Sequence, residues 1–199
     1  ERVREVIRGM RTYALGPAEP WRPVDLNEVV GSALKLTREV LEPRARVVVE
    51  LGEVPRVEGS RGRLAQVAQQ LLENAAQALE PGAPGRNEVV VRTWVEEAWL
   101  RLEVRDTGRG IAPEDLGHVF EPFFTRKQVG QGMGLGLWLC HNVVRAHGGH
   151  IEVESTPAMG TRFVVNLPLA PGVGAREGWS EGLKNRHASA PPSALSLEK

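Results

Sequence analysis

The stretch from Asp106 to Gly136 decides how this chain is read. It contains DTGRGI at 106–111 and FEPFFTRK at 120–127, then GQGMGLGL from Gly130, running past Gly136 into a helix. Two glycine clusters bracket a polar loop that carries phenylalanines. Glycine lets backbone amides approach an anion with no side chain between them, so the pattern describes a pocket under a mobile cover, and a nucleotide suits it as guest.

The carboxylate comes from the strand before the first cluster. In WLRLEVRD, Leu100, Leu102 and Val104 alternate with Arg101, Glu103 and Arg105, the period of a half-buried strand. Asp106 keeps the parity of the apolar face, which aims an acid at the interior, where it needs hydrogen-bond donors. The exocyclic amine of adenine is such a donor, whereas guanine presents a carbonyl there. An ordinary Asp-Thr-Gly turn ending a strand is the other reading of these residues.

The second cluster leads into LWLCHNVVRAHGG, where Leu135, Trp138, Leu139, Val143 and Ala146 form one helical face and Gly148 and Gly149 mark its end. A helix N-terminus with open amides and partial positive charge suits phosphates. The segment lacks the Lys-Ser or Lys-Thr ending of a P-loop and has no strand directly before it, so neither the Walker nor the Rossmann pattern fits.

Length and composition narrow the class. The chain has 199 residues, enough for one main domain with extensions. Lys+Arg 25 against Asp+Glu 25 leaves a formal net charge of +0, with no basic field for nucleic acid. The single cysteine, Cys140, lies on the predicted helix as a packed thiol and excludes internal disulfides and cysteine-clustered zinc. No apolar run approaches the ~20 residues of a membrane span, and ERVREVIRG has no signal-peptide core. These features place the chain in the cytoplasm, with membrane attachment of a longer parent left open; the missing initial methionine fits a piece of such a parent.

In order, residues 1–15 put Val3, Val6, Ile7 and Met10 on a helix seam, with a frayed amphipathic terminus as the alternative. Residues 16–24, rich in proline, read as a linker. Asp25 with Glu28 resembles a capping box opening a helix whose face is Leu26, Val29, Val30, Ala33, Leu34, Val40 and Leu41. RVVVEL (46–51) is a strand and Val54 to Val57 a short extended piece. Ser60 caps a helix to about Leu79, with Gln66, Gln70, Glu73 and Gln77 on its polar side and Asn74 at the seam. An amide there reaches a metal or phosphate at a pocket edge, while a solvated face is the plainer reading. Two hairpins follow, NEVVVRTWV with WLRLEVRD, and HIEVES with TRFVVNLPL around TPAMG. From Ala170 the composition predicts a flexible tail over 170–199. The order predicts an α/β (α+β) two-layer sandwich, a mixed five-stranded sheet with three helices on one face and a mobile lid.

With these residues in hand, the chain resembles the ATP-binding catalytic domain of two-component sensor histidine kinases. This domain has a Bergerat-type fold shared with gyrase B, heat-shock chaperones and MutL. The likeness covers roughly Val24 to Pro168. LLENAAQAL resembles the N box, DTGRGI the first glycine box, FEPFFTRK the F box, GMGLGL the second glycine box and GTRF the last. The LLENAAQAL form is most similar to kinases of the nitrogen-regulation type.

The resemblance implies that the domain, residues 25–169, binds ATP with Mg2+. Asn74 then ligates magnesium, and Gln70 stands behind it where the family often has asparagine. Asp106 accepts from the adenine amine, Gly108 and Gly110 let the chain pass the base, and Ile111 packs on it. Lys127 supplies a cation to the phosphates. Gly132, Gly134, Leu135 and Gly136 carry the amides that meet them, and Thr161 supports Asp106. Gln70 replaces the glutamate that activates water in the hydrolysing branches, and it cannot act as a base.

The phosphate acceptor is absent from the sequence read this way. None of His118, His141, His147, His150 and His187 is followed by Asp or Glu. RVREVIRGMRTYA resembles the end of a second dimerisation helix. The implied function is transfer of the ATP γ-phosphate to a histidine on a dimerisation domain of a homodimeric parent, for relay to a response-regulator aspartate. This chain alone is then expected to bind ATP without autophosphorylation. The alternative is a non-catalytic, nucleotide-switched interaction module of the same superfamily.

Overall fold

Asp25 starts the first long helix. Its carboxylate accepts from the N–H groups of Asn27 (3.0 Å) and Glu28 (3.2 Å), satisfying two of the donors every helix leaves open. The computed structural model describes residues 20–80, 85–126 and 133–169. The readings at 1–15 and 170–199, together with Lys127, Gly132 and the rest of 127–132, lie outside them.

Helix α1 (Leu26–Leu41) buries Leu26, Val29, Val30, Ala33 and Leu41. Val40, expected on that face, is 43% exposed. The inward row runs Val30, Ala33, Thr37, Leu41, and the Thr37 hydroxyl is satisfied in the core by donating to the Ala33 carbonyl at 2.9 Å. Glu28 pairs with Arg61 (2.7 Å). Helix α2 (Arg61–Ala78) is capped by Ser60, which accepts from the Arg63 N–H at 3.3 Å. A one-turn helix, α3 (Pro113–Leu116), interrupts the loop after the first glycine cluster, and α4 (Gly136–Ala146) follows the second.

Strands β2 (Arg46–Leu51), β4 (Glu88–Glu96), β5 (Trp99–Asp106), β6 (His150–Thr156) and β7 (Gly160–Pro168) form one sheet in the order β2-β4-β5-β7-β6. β2 runs parallel to β4 and the other pairs are antiparallel. The expected mixed five-stranded sheet is therefore present. A second ribbon joins β1 (Arg22–Val24) to β3 (Val57–Gly59). This pairing replaces the linker expected over residues 16–24 at its end, and it shifts the extended piece expected at Val54 to Val57 on to Val57–Gly59. Neither three-residue strand has enough alternation of its own to announce it, and each exists by pairing with the other.

One face of the sheet packs against the helices. Leu100, Leu102 and Val104 of β5, with Phe163, Val165 and Leu167 of β7, meet Leu64, Val67, Ala68 and Leu71 of α2 in a single buried cluster. Burying each of these Leu, Val and Phe side chains contributes about 1.5–3 kcal/mol. His147 ties the small ribbon to this layer: its Nδ1–H donates to the Val143 carbonyl (2.7 Å), its Nε2 accepts from the Ser60 N–H (3.1 Å), and Trp21 stacks on its ring at 4.6 Å. These bonds assign the neutral tautomer.

Candidate nucleotide-binding site

The helix layer leaves a cavity of about 740 Å3 between α2, α4 and the end of the sheet. The floor is the end of β5 at Asp106. Asp106 lies inside, 5% exposed, and its carboxylate accepts from the Gly108 N–H at 2.8 Å and from the Thr161 N–H. Burial pushes its pKa up to about 6, and these two bonds only partly offset the rise. Two N–H donors leave the carboxylate with acceptor capacity directed into the cavity.

The loop after Asp106 is held close to its neighbours. Arg109 N–H donates to the Ala78 carbonyl (3.0 Å), and Gly110 adopts φ +69 where a Cβ would run into the Thr156 carbonyl. Only glycine combines that dihedral with that approach. The same logic applies at Gly134, with φ +67 and a virtual Cβ 2.6 Å from the Phe124 carbonyl oxygen. The Gly134 carbonyl accepts from the Phe123 N–H at 3.0 Å, which joins the phenylalanine segment to the root of α4. Phe120 of that segment packs on His141 and Phe163.

Of the residues marked by sequence, Gln70, Asn74, Asp106, Gly110, Ile111, Gly134, Leu135, Gly136 and Thr161 line this one cavity. Gly108 adjoins it through its bond to Asp106. Lys127 and Gly132 lie outside the described residues. Glu73 and Gln77 of the polar stripe also face the cavity, so that side of α2 is the pocket wall and not merely a solvated face.

Magnesium fits this wall. Gln70, Glu73 and Asn74 offer hard oxygen donors, the kind Mg2+ takes sparingly from protein while keeping water and phosphate ligands. Gln70 Nε2 donates to Asn74 Oδ1 at 3.3 Å, orienting that amide and leaving one lone pair on its oxygen. Among the described residues no cluster of three or more His, Cys, Asp and Glu is assembled.

Sequence reasoning missed two features. Asp115 of α3 is buried at the cavity wall and takes a bidentate pair from Arg126 (2.9 and 2.7 Å). Nothing local announces a contact across eleven residues of irregular chain. Ser155 supports the cavity from behind, accepting from the Ile111 N–H at 2.8 Å. Counting strand parity back through the TPAMG turn would have placed it opposite Thr161.

A two-layer sandwich with a buried acid at the strand end and a glycine-flanked helix N-terminus across the cavity defines an ATP-binding domain of the Bergerat type. The family model described as histidine kinase-, DNA gyrase B- and HSP90-like ATPase matches residues 59–171. The chain belongs to that family, in its histidine kinase branch. It is 36% identical over 180 residues to the C4-dicarboxylate transport sensor protein DctB of Pseudomonas aeruginosa, covering 86% of this chain and 28% of DctB. The mycobacterial sensor histidine kinase MprB superposes with TM-score 0.64 at 30% identity, over 76% of this chain and 99% of that structure. The catalytic domain of histidine kinase ThkA does so with TM-score 0.66 at 28% identity, over 77% and 98%. The chain thus spans under a third of the curated relative's length. Among the described residues no helix is long and apolar enough to cross a membrane.

Proposed function

We propose that this domain binds Mg-ATP and presents its terminal phosphate to a histidine on a dimerisation domain of the same parent kinase, a homodimer, from which a response-regulator aspartate receives it. The observation that carries the reading is Asp106, a buried acid facing the cavity with acceptor capacity to spare. In this reading Asp106 accepts from the adenine amine, Ile111 packs on the base, and the amides at Gly134, Leu135 and Gly136 receive the phosphates. Asn74, steadied by Gln70, holds magnesium with Glu73 beside it. When bound, the ion neutralises phosphate charge. The protein's own contribution is orientation of the γ-phosphate for in-line attack by an incoming imidazole. Lys127 adds a lid cation, and the domain works in the cytoplasm.

Titration calorimetry with ATP, ADP and GTP in magnesium tests the pocket. ATP and ADP should bind, GTP should bind far more weakly, and Asp106→Asn should abolish the preference. Equal binding of ATP and GTP by the unaltered chain would remove the base assignment. For the transfer step, labelled ATP is supplied with this chain and a histidine-bearing dimerisation domain of a sensor histidine kinase. Label should reach that histidine, and none should remain on this chain alone.

A further inference from the structure

Asp106, Thr161 and Ser155 form one transverse row across three strands, since Asp106 pairs with Thr161 in the β5–β7 register and Ser155 with Thr161 in the β6–β7 register. All three therefore share the helix-facing side of the sheet. Ser155 Oγ makes three polar contacts: it lies 2.8 Å from the Gly160 carbonyl oxygen, 2.8 Å from the Ile111 nitrogen and 2.9 Å from Thr161 Oγ1. A serine hydroxyl has one proton and two lone pairs. The carbonyl of Gly160 can only accept, so the proton of Ser155 goes there. The N–H of Ile111 can only donate, so it takes one lone pair. The remaining lone pair faces Thr161, and that contact is a hydrogen bond only if Thr161 is the donor. The proton of Thr161 is thereby committed away from the cavity, and the oxygen it turns to the cavity can only accept.

We propose that Ser155 is the positioning residue that sets base selectivity: by drawing the Thr161 proton to itself, it makes Thr161 a second acceptor beside Asp106, so that the pocket floor accepts an amino group and rejects a carbonyl. Ser155 does this without lining the cavity. The proposal rests on the base-binding role assigned to Asp106 above and adds the reason why Thr161 does not relax it. A threonine free to rotate could donate to a 6-oxo group and would blunt the discrimination. The bond from Ile111 to the same oxygen ties the glycine loop over the base to this choice.

The test compares ATP with inosine triphosphate, which replaces the 6-amino group by a carbonyl, in titrations of the full chain with magnesium. For the unaltered protein ATP should bind better by at least about tenfold, as expected when a polar site loses its matching partner. Ser155→Ala should lower the ATP:ITP ratio by about tenfold, chiefly by improving ITP relative to ATP. Ser155→Thr should restore the ratio, because its hydroxyl can take the same three bonds. Thr161→Val removes that acceptor from the floor without offering a donor to a carbonyl, so it should weaken ATP and lower the ATP:ITP ratio. A Ser155→Ala protein that loses affinity for both nucleotides equally would show a purely structural role and overturn the proposal. So would a Thr161→Val protein that keeps the ATP:ITP ratio of the unaltered chain, and that arm stands even where Ser155→Ala fails to fold. If the unaltered chain binds ATP and ITP alike, the base-pocket reading itself falls, and this proposal with it.

Discussion

Asp106 shows how one side chain can oppose the fold and serve the site. Its pKa is held at about 6, against an ordinary value of 3.8, so at neutral pH the buried carboxylate costs the unliganded domain about 3 kcal/mol. Between those two values the folded state binds the proton and the unfolded state does not, so this penalty disappears as pH falls from about 6 toward 3.8. Asp106→Asn keeps a carbonyl for the Gly108 and Thr161 N–H groups and never ionises. It should therefore raise the melting temperature of the unliganded domain near pH 7.5, with the advantage narrowing toward pH 4. Ligand binding has the reverse dependence. An amine donor favours the ionised acid, so ATP affinity should fall once the pH drops below about 6, approaching about tenfold per unit. Calorimetry near that pH in two buffers of different ionisation heat should reveal proton release; a flat profile would assign the base contact elsewhere.

The small β1–β3 ribbon hangs on the helix layer through His147. Burial holds this imidazole's pKa below its ordinary value, more than the Val143 bond restores, and Arg63 adds to the lowering. The folded state thus needs neutral His147, while the unfolded chain takes a proton near pH 6.5. The stability this pair contributes is present above that value and is lost as the pH drops below it. Hydrogen exchange at Arg22–Val24 and Val57–Gly59 should accelerate in acid well before exchange in β5. His147→Phe keeps the stack on Trp21 but orphans the Ser60 N–H. It should cost about 1–3 kcal/mol and flatten the acid response of the ribbon. An unchanged acid response in that variant would exonerate His147. Asp106 gains stability over part of the same range, so only a local readout separates the two.

Across the molecule, the face of the sheet opposite the described helices carries a row of alternating charge through all five strands. Glu50 pairs with Arg92 (2.6 Å), Arg92 approaches Glu103 (3.9 Å), Arg162 binds Glu103 (2.5 Å) and also Glu154 (3.1 Å). Only Glu103 is deeply buried, its side chain 5% exposed, so the flanking pairs are worth little and the central one much. Arg162→Met should destabilise the domain by about 3 kcal/mol by stranding a buried carboxylate, while Glu103→Leu with Arg162→Met should recover most of the loss. Chemical denaturation of the two variants decides it. Equal stability losses would mean the row acts through packing rather than charge.

How much of this was legible beforehand follows from where the information resides. Helices α1, α2 and α4 and the long strands were written in local periodicity, because each buries one face against a single core and the 3.6 and 2.0 repeats record which face. Asp106 was legible for the same reason, since its parity on β5 aimed it inward. What local pattern could not carry was every contact made between distant segments. The β1–β3 ribbon, the Asp115–Arg126 clamp and the Gln70–Asn74 wall facing the same cavity as Gly134 all depend on how the layers close. The Ser155 relay is the clearest case. A serine in HIEVES has no assigned donor or acceptor role of its own; the register of three strands brought a carbonyl, an amide and a second hydroxyl to its one oxygen, and hydrogen-bond valence then left a single arrangement of protons.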